Sequence, residues 1–393
     1  MRNSGLNMES VKDHNRALII QLICTNNGVT RQELTEASHL TPMTLTNITS
    51  DLIKNNFVCE VDSKNEEKAL GRTPKQLYPS PNSPVTAGIF ISKTSLHGII
   101  TDLSLNIITQ KKVVFSYTET KKSISDKILS LAEYLINFSS RPLLGLGVST
   151  VGVVDTINGN ITYITDFFDI QEMEIKSLLV PYVNVPIFVK NDMQSAALCE
   201  MYFGLGKIKD HFIYVGLTNG VGSSIVANKQ LLNNLTGSCG ELGHMTIDYK
   251  NGEQCKCGSH GCLELYASVP KIIQNINATC NTTFTDFQEA LDFCTQNPKA
   301  QMILDEVSEQ LSYALNNLIN IVDISTIIFG HSGVHLPDTM LESIAQKLNK
   351  ISLFRYNRTI KIYKSAFDED SPILGAACNV LDQLFSGNLI PEI

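Results

Sequence analysis

The stretch 255-CKCGSHGCLEL-265 places three cysteines and a glutamate in a run too short to be an ordinary core element, and 240-GELGHMTI-247 places a histidine just upstream. Together they read His244-x10-Cys255-x-Cys257-x4-Cys262. One imidazole and three thiolates match the donor set of a closed tetrahedral site holding structural Zn2+. The Cys-x-Cys spacing is less usual than Cys-x-x-Cys, so spacing alone leaves a cytosolic redox pair or chance clustering as alternatives. The other seven cysteines (Cys24, Cys59, Cys199, Cys239, Cys280, Cys294, Cys378) are scattered, mostly among apolar neighbours. They read as buried reduced thiols.

Around this stretch lie 393 residues, too many for one core, so two or three domains are expected. Hydrophobic residues make up 43% of the chain and charged residues 18%, an ordinary globular balance. No apolar run approaches the ~18 residues of a membrane span, and MRNSGLNMESVKDHNRA lacks a signal peptide's apolar segment. A cytoplasmic protein without membrane insertion is expected. The net charge of −8 argues against a wholly basic nucleic-acid binder. Residues 1–80 carry nine Lys/Arg and nine Asp/Glu, so the whole deficit lies downstream. If one part approaches a phosphate backbone, it is this neutral N-terminal segment.

That segment reads as helices. Leu18, Ile19, Leu22 and Ile23 recur at i, i+4 spacing, with Gly28 as a stop. Thr30-Arg-Gln-Glu33 forms a capping box before a short helix carrying Leu34 and Ala37. Thr41-Pro42 supplies an N-cap and a first-position proline for a third helix that buries Leu45, Ile48 and Leu52. Two short helices joined by a tight turn make a helix-turn-helix. The third helix offers Met43, Thr44, Thr46, Asn47, Ser50 and Lys54 away from its core side. Thr, Asn and Ser are mediocre helix formers but suit base edges in a major groove; the bland alternative is a solvated or dimerising face. Then Phe57–Val61 and Gln76–Tyr78 suggest a two-stranded wing, and Arg72 within 71-GRTPK-75 is suited to a narrow minor groove. Pro79, Pro81 and Pro84 mark a boundary, giving a winged helix-turn-helix domain over 1–80.

From Val85 strand and helix alternate. Strands are expected at Ala87–Ile91, Leu96–Asp102, Leu143–Ser149, Val185–Val189, His211–Leu217, Ile225–Ala227 and Ile324–Phe329. Helices are expected at Ile124–Asn137 and Met193–Tyr202, and a glycine turn at 219-NGVGSS-224. The pattern implies α/β architecture, loosely duplicated, with ligands at strand carboxyl ends. A first lobe over 85–195, completed by a C-terminal helix at 372–390, and a second over 196–371 are expected.

The motif Gly-Glu-Leu-Gly-His followed by Cys-x-Cys-Gly-x2-Gly-Cys-Leu-Glu resembles the signature of the ROK family (repressors, open reading frames and sugar kinases). The resemblance continues through 145-GLGVSTVGVVD-155, 190-KNDMQSAALCE-200 and 216-GLTNGVGSS-224, over roughly 85–385. An N-terminal helix-turn-helix ending in GRTP is similar to the family's regulators, the branch of xylose and N-acetylglucosamine repressors. The resemblance implies a two-lobed actin-like ATPase fold and a sugar site at Asn191, Asp192, Glu241, His244 and Glu264. Carboxylates and an amide suit the vicinal hydroxyls of a pyranose. It implies that His244 serves metal and sugar at once, through its two ring nitrogens. A double-stranded operator, a sugar or sugar-phosphate effector and a homodimer or homotetramer follow as expected partners.

The family's kinases open their first lobe with Asp-x-Gly-Gly-Thr, whose glycines cradle phosphate. Here the matching segment is 88-GIFISKTS-95, with Phe90 for the aspartate and Ser92-Lys93 for the glycines. Asn219 and Ser223-Ser224 alter the second phosphate turn, and 329-FGHSGV-334 replaces a glycine triplet. Asp192, matching the kinases' catalytic base, is retained as a relict. A sugar-responsive regulator, a repressor rather than an enzyme, is expected; an ATP-dependent sugar kinase with an accessory domain is the alternative.

Overall fold

The computed structural model describes residues 8–62, 75–232, 237–353 and 355–389. In the N-terminal part, α1 (Met8–Cys24) precedes a two-residue strand, β1 (Val29–Thr30), and the helices α2 (Arg31–Ser38) and α3 (Pro42–Lys54). The strands β2 (Val58–Asp62) and β3 (Lys75–Pro79) follow. The local signals act as read. The Thr30 hydroxyl accepts from Glu33 N at 3.2 Å while Glu33 Oε2 accepts from Thr30 N at 2.7 Å, satisfying two otherwise orphan amides of α2. Thr41 caps α3 by accepting from Thr44 N at 3.2 Å, with Pro42 in the first turn. Leu34, Leu45, Ile48, Leu52, Phe57 and Leu77 are buried together with Ile19 and Ile23, whereas Ala37 is exposed. The wing has three strands rather than two, in the order β1-β3-β2, because Val29 pairs with Leu77. Arg72 and the rest of 71-GRTP-74 lie outside the described residues.

Two five-stranded sheets follow, built to one plan. The first holds β4 (Val85–Ile91), β5 (Ser95–Thr101), β6 (Ile107–Val114), β7 (Leu143–Thr150) and β10 (Ile187–Asn191) in the order β10-β7-β4-β5-β6. Helix α4 (Lys121–Phe138) connects β6 to β7; the ribbon β8 (Val153–Asp155) and β9 (Asn160–Tyr163) and the short α5 (Ile175–Leu179) precede β10. Helix α6 (Asp192–Phe203) leaves β10 directly. The second sheet holds β11 (Phe212–Leu217), β12 (Val221–Ala227), β13 (Gln230–Leu231), β14 (Thr326–His331) and β15 (Lys361–Lys364) in the order β13-β12-β11-β14-β15. Helices α7 (Glu264–Ala267), α8 (Val269–Cys280), α9 (Phe287–Cys294) and α10 (Pro298–Val322) separate β13 from β14, and α11 (Asp338–Ile351) precedes β15. In each sheet the first strand pairs antiparallel with the next and parallel with a later one, so the duplication read from the sequence is structural. Of 219-NGVGSS-224, only the first two residues turn; Val221–Ser224 are already strand. The adjacent Leu217↔Val221 pairing leaves room for nothing longer.

The chain closes with α12 (Ser371–Phe385), which ends five residues short of the expected limit of 390. It is wedged between the first sheet and α6. A Cβ on Gly147 would sit 1.8 Å from Ala376 O, so only glycine admits the helix this closely. Asn379 Nδ2 donates to Val148 O and to Ser195 Oγ, both at 3.0 Å, tying sheet, α12 and α6 together. Helix α6 also packs on β11 and β12, so the expected lobe border at 195/196 falls inside a helix that both lobes share. The C-terminal half of α12 meets α1, and its apolar residues are continuous with the core of the N-terminal part.

Candidate functional site

The cleft between the sheets is built at the carboxyl ends of parallel strands, where side chains of successive connections converge. Asn191 ends β10 and caps α6: its Oδ1 accepts from Met193 N at 2.8 Å and its Nδ2 donates to Gly152 O at 2.8 Å. Asp192 is 4% exposed, and its Oδ2 lies 3.7 Å from His331 Nε2 at the end of β14. Glu241 precedes the short turn Leu242–His244 and is exposed. Desolvation raises its carboxyl above the ordinary range, His244 opposes this, and the charges of Asp192 and Glu264 add to it. Asp192, His244 and Glu264 are thus within electrostatic reach of Glu241, and Asn191 adjoins Asp192 in the chain.

Glu264 opens α7. Its Oε1 lies 3.5 Å from His244 Nδ1 and 3.4 Å from Cys255 Sγ, whose thiol donates to it. Donor atoms of His244, Cys255, Cys257 and Cys262 all lie within 4.8 Å of one another. The Cys257 and Cys262 sulfurs are 3.6 Å apart, and Cys255 Sγ is 3.8 Å from His244 Nδ1. Sulfurs at ~2.3 Å from a tetrahedral ion stand about 3.8 Å apart, so this quartet can hold a metal with little movement. The four residues come from a loop pinned by the bridges Thr246↔Cys262 and Gln254↔His260. The loop reaches the first lobe through an ion pair between Lys256 and Asp166.

Two further residues, Lys93 and His331, line the cleft outside the expected set. Lys93, in the β4–β5 turn, is half-buried and feels the charges of Asp166, Glu264 and Asp192, while desolvation, the larger effect, lowers its ammonium. His331 is 5% exposed and adopts φ 52°, a left-handed conformation uncommon outside glycine. A sequence signal existed in both cases, since each lies in a segment where the family resemblance implies glycine.

The two turns at 92–95 and 218–220 are closed on themselves. Ser92 Oγ accepts from Thr94 N at 3.2 Å and Ser95 N at 3.0 Å, consuming amides that a phosphate cradle would present. In the second, Gly220 N donates to Thr218 Oγ1 at 3.3 Å and Thr218 N to Gly220 O at 2.9 Å. Phe90 lines the same cavity, of about 320 Å³, with Lys93, His97, Asp192 and His331.

On α3 the expected partition holds. Met43, Thr46, Asn47, Ser50 and Lys54 are exposed and Leu45, Ile48 and Leu52 are buried. Thr44 is half-buried against the Thr41 hydroxyl at 2.9 Å, so it belongs partly to the cap. The Thr46 hydroxyl donates to Pro42 O at 2.7 Å. Arg16 links α1 to Asp51 of α3 at 3.6 Å, and Arg31 pairs with Glu60 of the wing.

A duplicated α/β cleft of the sugar-kinase type, joined to a helix-turn-helix, defines the class. The chain belongs to the ROK family, which matches residues 86–383. It is 26% identical over 375 residues to the xylose repressor of Bacillus spizizenii, covering 95% of this chain and 96% of that one. It is 24% identical over 402 residues to the DNA-binding transcriptional dual regulator NagC of Escherichia coli, covering 98% and 97%. Among solved structures, a ROK family transcriptional regulator described as a homologue of E. coli Mlc superposes with a TM-score of 0.81 at 21% identity, covering 96% of this chain and 98% of that one. A ROK glucokinase from Streptomyces griseus, in complex with glucose and AMPPNP, gives 0.66 at 22% identity and covers 75% and 98%. The fold is therefore the two-lobed actin-like ATPase fold. No helix among the described residues is long and apolar enough to cross a membrane.

Proposed function

We propose that this chain is a sugar-responsive DNA-binding transcriptional regulator, a repressor of carbohydrate uptake or catabolism genes. The observation that carries the reading is α3, a helix with a capping threonine and a first-turn proline that exposes Thr46, Asn47 and Ser50 beside Met43. The names of the repressor relatives support it. Met43, Thr44, Thr46, Asn47 and Ser50 face the operator, with Arg72 reaching the flanking minor groove. Asn191, Asp192, Glu241, His244 and Glu264 take the sugar or sugar-phosphate effector. His244, Cys255, Cys257 and Cys262 hold structural zinc, with Nδ1 of His244 as the ligand atom and Nε2 left toward the sugar. The metal supplies a cross-link that fixes the loop before Glu264. The protein works as a homodimer or homotetramer in the cytoplasm on a pseudo-palindromic site.

The retained, buried Asp192 favours an ATP-dependent kinase instead. Against it, the amides of both phosphate turns are taken internally and Phe90 occupies the acidic position. Titrating the full chain on its promoter DNA with xylose, glucose, N-acetylglucosamine and their phosphates tests the reading. One of them should release the DNA. Sugar-dependent ATP consumption with no effect of any sugar on DNA binding would replace it with the kinase.

A further inference from the structure

Asp192, His331 and Tyr214 begin a line of buried polar groups that does not stop at the cleft. His331 Nδ1 is 3.1 Å from the Tyr214 hydroxyl, and Tyr214 is fully buried on β11. The same hydroxyl lies near Ser371, the first residue of α12. Ser371 Oγ is 2.8 Å from Ser365 Oγ, which donates to Glu200 Oε1 at 2.6 Å. Glu200 is fully buried in the last turn of α6; it also accepts from Ala366 N at 2.9 Å and, through Oε2, from Leu205 N at 3.2 Å. Leu205 opens the turn Leu205–Lys207, and the Lys207 ammonium donates to the carbonyl of Thr25, one residue past α1. Every side chain from Asp192 to Glu200 in this line is at least nine-tenths buried.

We propose that His331 is a positioning residue of the effector site, and that this line carries the state of Asp192 to the seat of the DNA-binding part. The inference rests on the assignment of Asp192 to the sugar. Three observations support it. The Asp192–His331 pair crosses between the two sheets, so closing the cleft shortens it. At 3.7 Å the pair is too long for a hydrogen bond, and His331 Nε2 has no hydrogen-bond partner in the protein. A buried donor short of its acceptor is costly, which favours approach once the lobes close. The backbone of His331 lies at φ 52° and ψ −142°, a strained setting held by its surroundings and of the kind found at switch sites.

Moving His331 changes what Tyr214 faces, and a low-dielectric polar chain cannot lose one partner without the next adjusting. The adjustment reaches Ser371 at the start of α12 and Glu200 at the end of α6. Both helices terminate near α1: Gly387, just past α12, lies 3.8 Å from the Ala17 side chain when given a Cβ, and Lys207 follows α6. The turn after α6 transmits displacement because it has no slack. A Cβ at Gly204 would fall 2.0 Å from Glu200 Oε2 and one at Gly206 would fall 2.4 Å from Met201 Cα. In this scheme Asp192 touches the sugar, His331 reads Asp192, and the Leu205–Lys207 turn delivers the change to α1.

Hydrogen exchange on the full chain tests it, read at 189–195, 203–208 and 20–26, with and without saturating D-xylose, D-glucose or N-acetylglucosamine. In the wild type a sugar that slows exchange at 189–195 should also change 203–208 and 20–26, by about fivefold or more. Tyr214→Phe, which removes one oxygen and keeps the packed ring, should retain the first response and lose the other two; Ser371→Ala should do the same. Wild-type responses at all three segments in both variants would overturn the proposal. If no sugar protects 189–195, the sugar assignment fails, and the line is then read without ligand. Asp192→Asn alone should change exchange at 203–208 in the otherwise wild-type chain and bring no change there in the Tyr214→Phe background. Additive effects of the two substitutions would overturn it by that route.

Discussion

Cys257→Ser separates coordination from packing, because Cys257 is exposed while Cys255 and Cys262 are buried. A serine at an exposed position opens no cavity, so the loss is that of one thiolate from a four-donor site. Structural zinc sites of this kind bind with roughly 10–16 kcal/mol, so one donor in four is worth about 3 kcal/mol, or about two orders of magnitude in metal affinity. Hydroxyl oxygen is a poor substitute for thiolate on a borderline-soft cation. Without the metal, the segment from His244 to Cys262 keeps its two isolated bridges, its backbone bonds and surface contacts such as the Lys256–Asp166 ion pair. Closing a segment of that length is worth on the order of 3 kcal/mol by the loop-entropy argument used for disulfides. The loop should then open locally, releasing Glu264 and the orientation of His244. The core of α3, at Leu45, Ile48 and Leu52, belongs to another cluster and should persist. The assay is metal content of the purified variant alongside sugar titration by thermal shift, where a bound ligand raises stability by mass action. Wild type should carry stoichiometric zinc and respond to sugar; Cys257→Ser should carry little metal and not respond. A metal-free wild type that still binds sugar would refute the tethering argument.

Asn47→Ala should weaken operator binding by about 1–3 kcal/mol and relax preference at one base pair per half-site, as measured by footprinting on randomised operators. Leu45 is fully buried, so Leu45→Ala should destabilise the N-terminal part by roughly 2–5 kcal/mol and abolish DNA binding while sugar binding is retained. Glu241→Ala and Glu264→Ala should each abolish the sugar response and leave DNA binding in place, giving constitutive repression in a reporter strain. Because burial raises the Glu241 carboxyl, the anion that accepts sugar hydroxyls is present above its raised pKa and lost as pH falls through it. Sugar affinity should therefore decline on acidification sooner than for an unperturbed glutamate, and Glu241→Gln should flatten that part of the profile in calorimetric titrations. Purified protein should show no sugar-dependent ATP turnover; a turnover abolished by Asp192→Asn would establish the kinase.

Local chemistry was legible where it needs only near neighbours. The box at Thr30 and Glu33, the cap at Thr41-Pro42 and the exposed side of α3 depend on contacts within four residues, and the sequence determined them. The close set His244, Cys255, Cys257 and Cys262 was legible too, because four potential donors drawn from one loop declare their spacing. Strand β6 escaped the reading because 107-IITQKKVV-114 is an exposed edge strand without a buried alternation. Strand β1 escaped because two residues acquire strand character only by pairing with Leu77. Tertiary structure alone decided that Lys93 stands among the cleft carboxylates. It alone set His331 opposite Asp192 and seated α1 against α12. Each of these joins residues far apart in the chain, and such pairings follow from how two sheets close around α6 and α12, which no local pattern encodes.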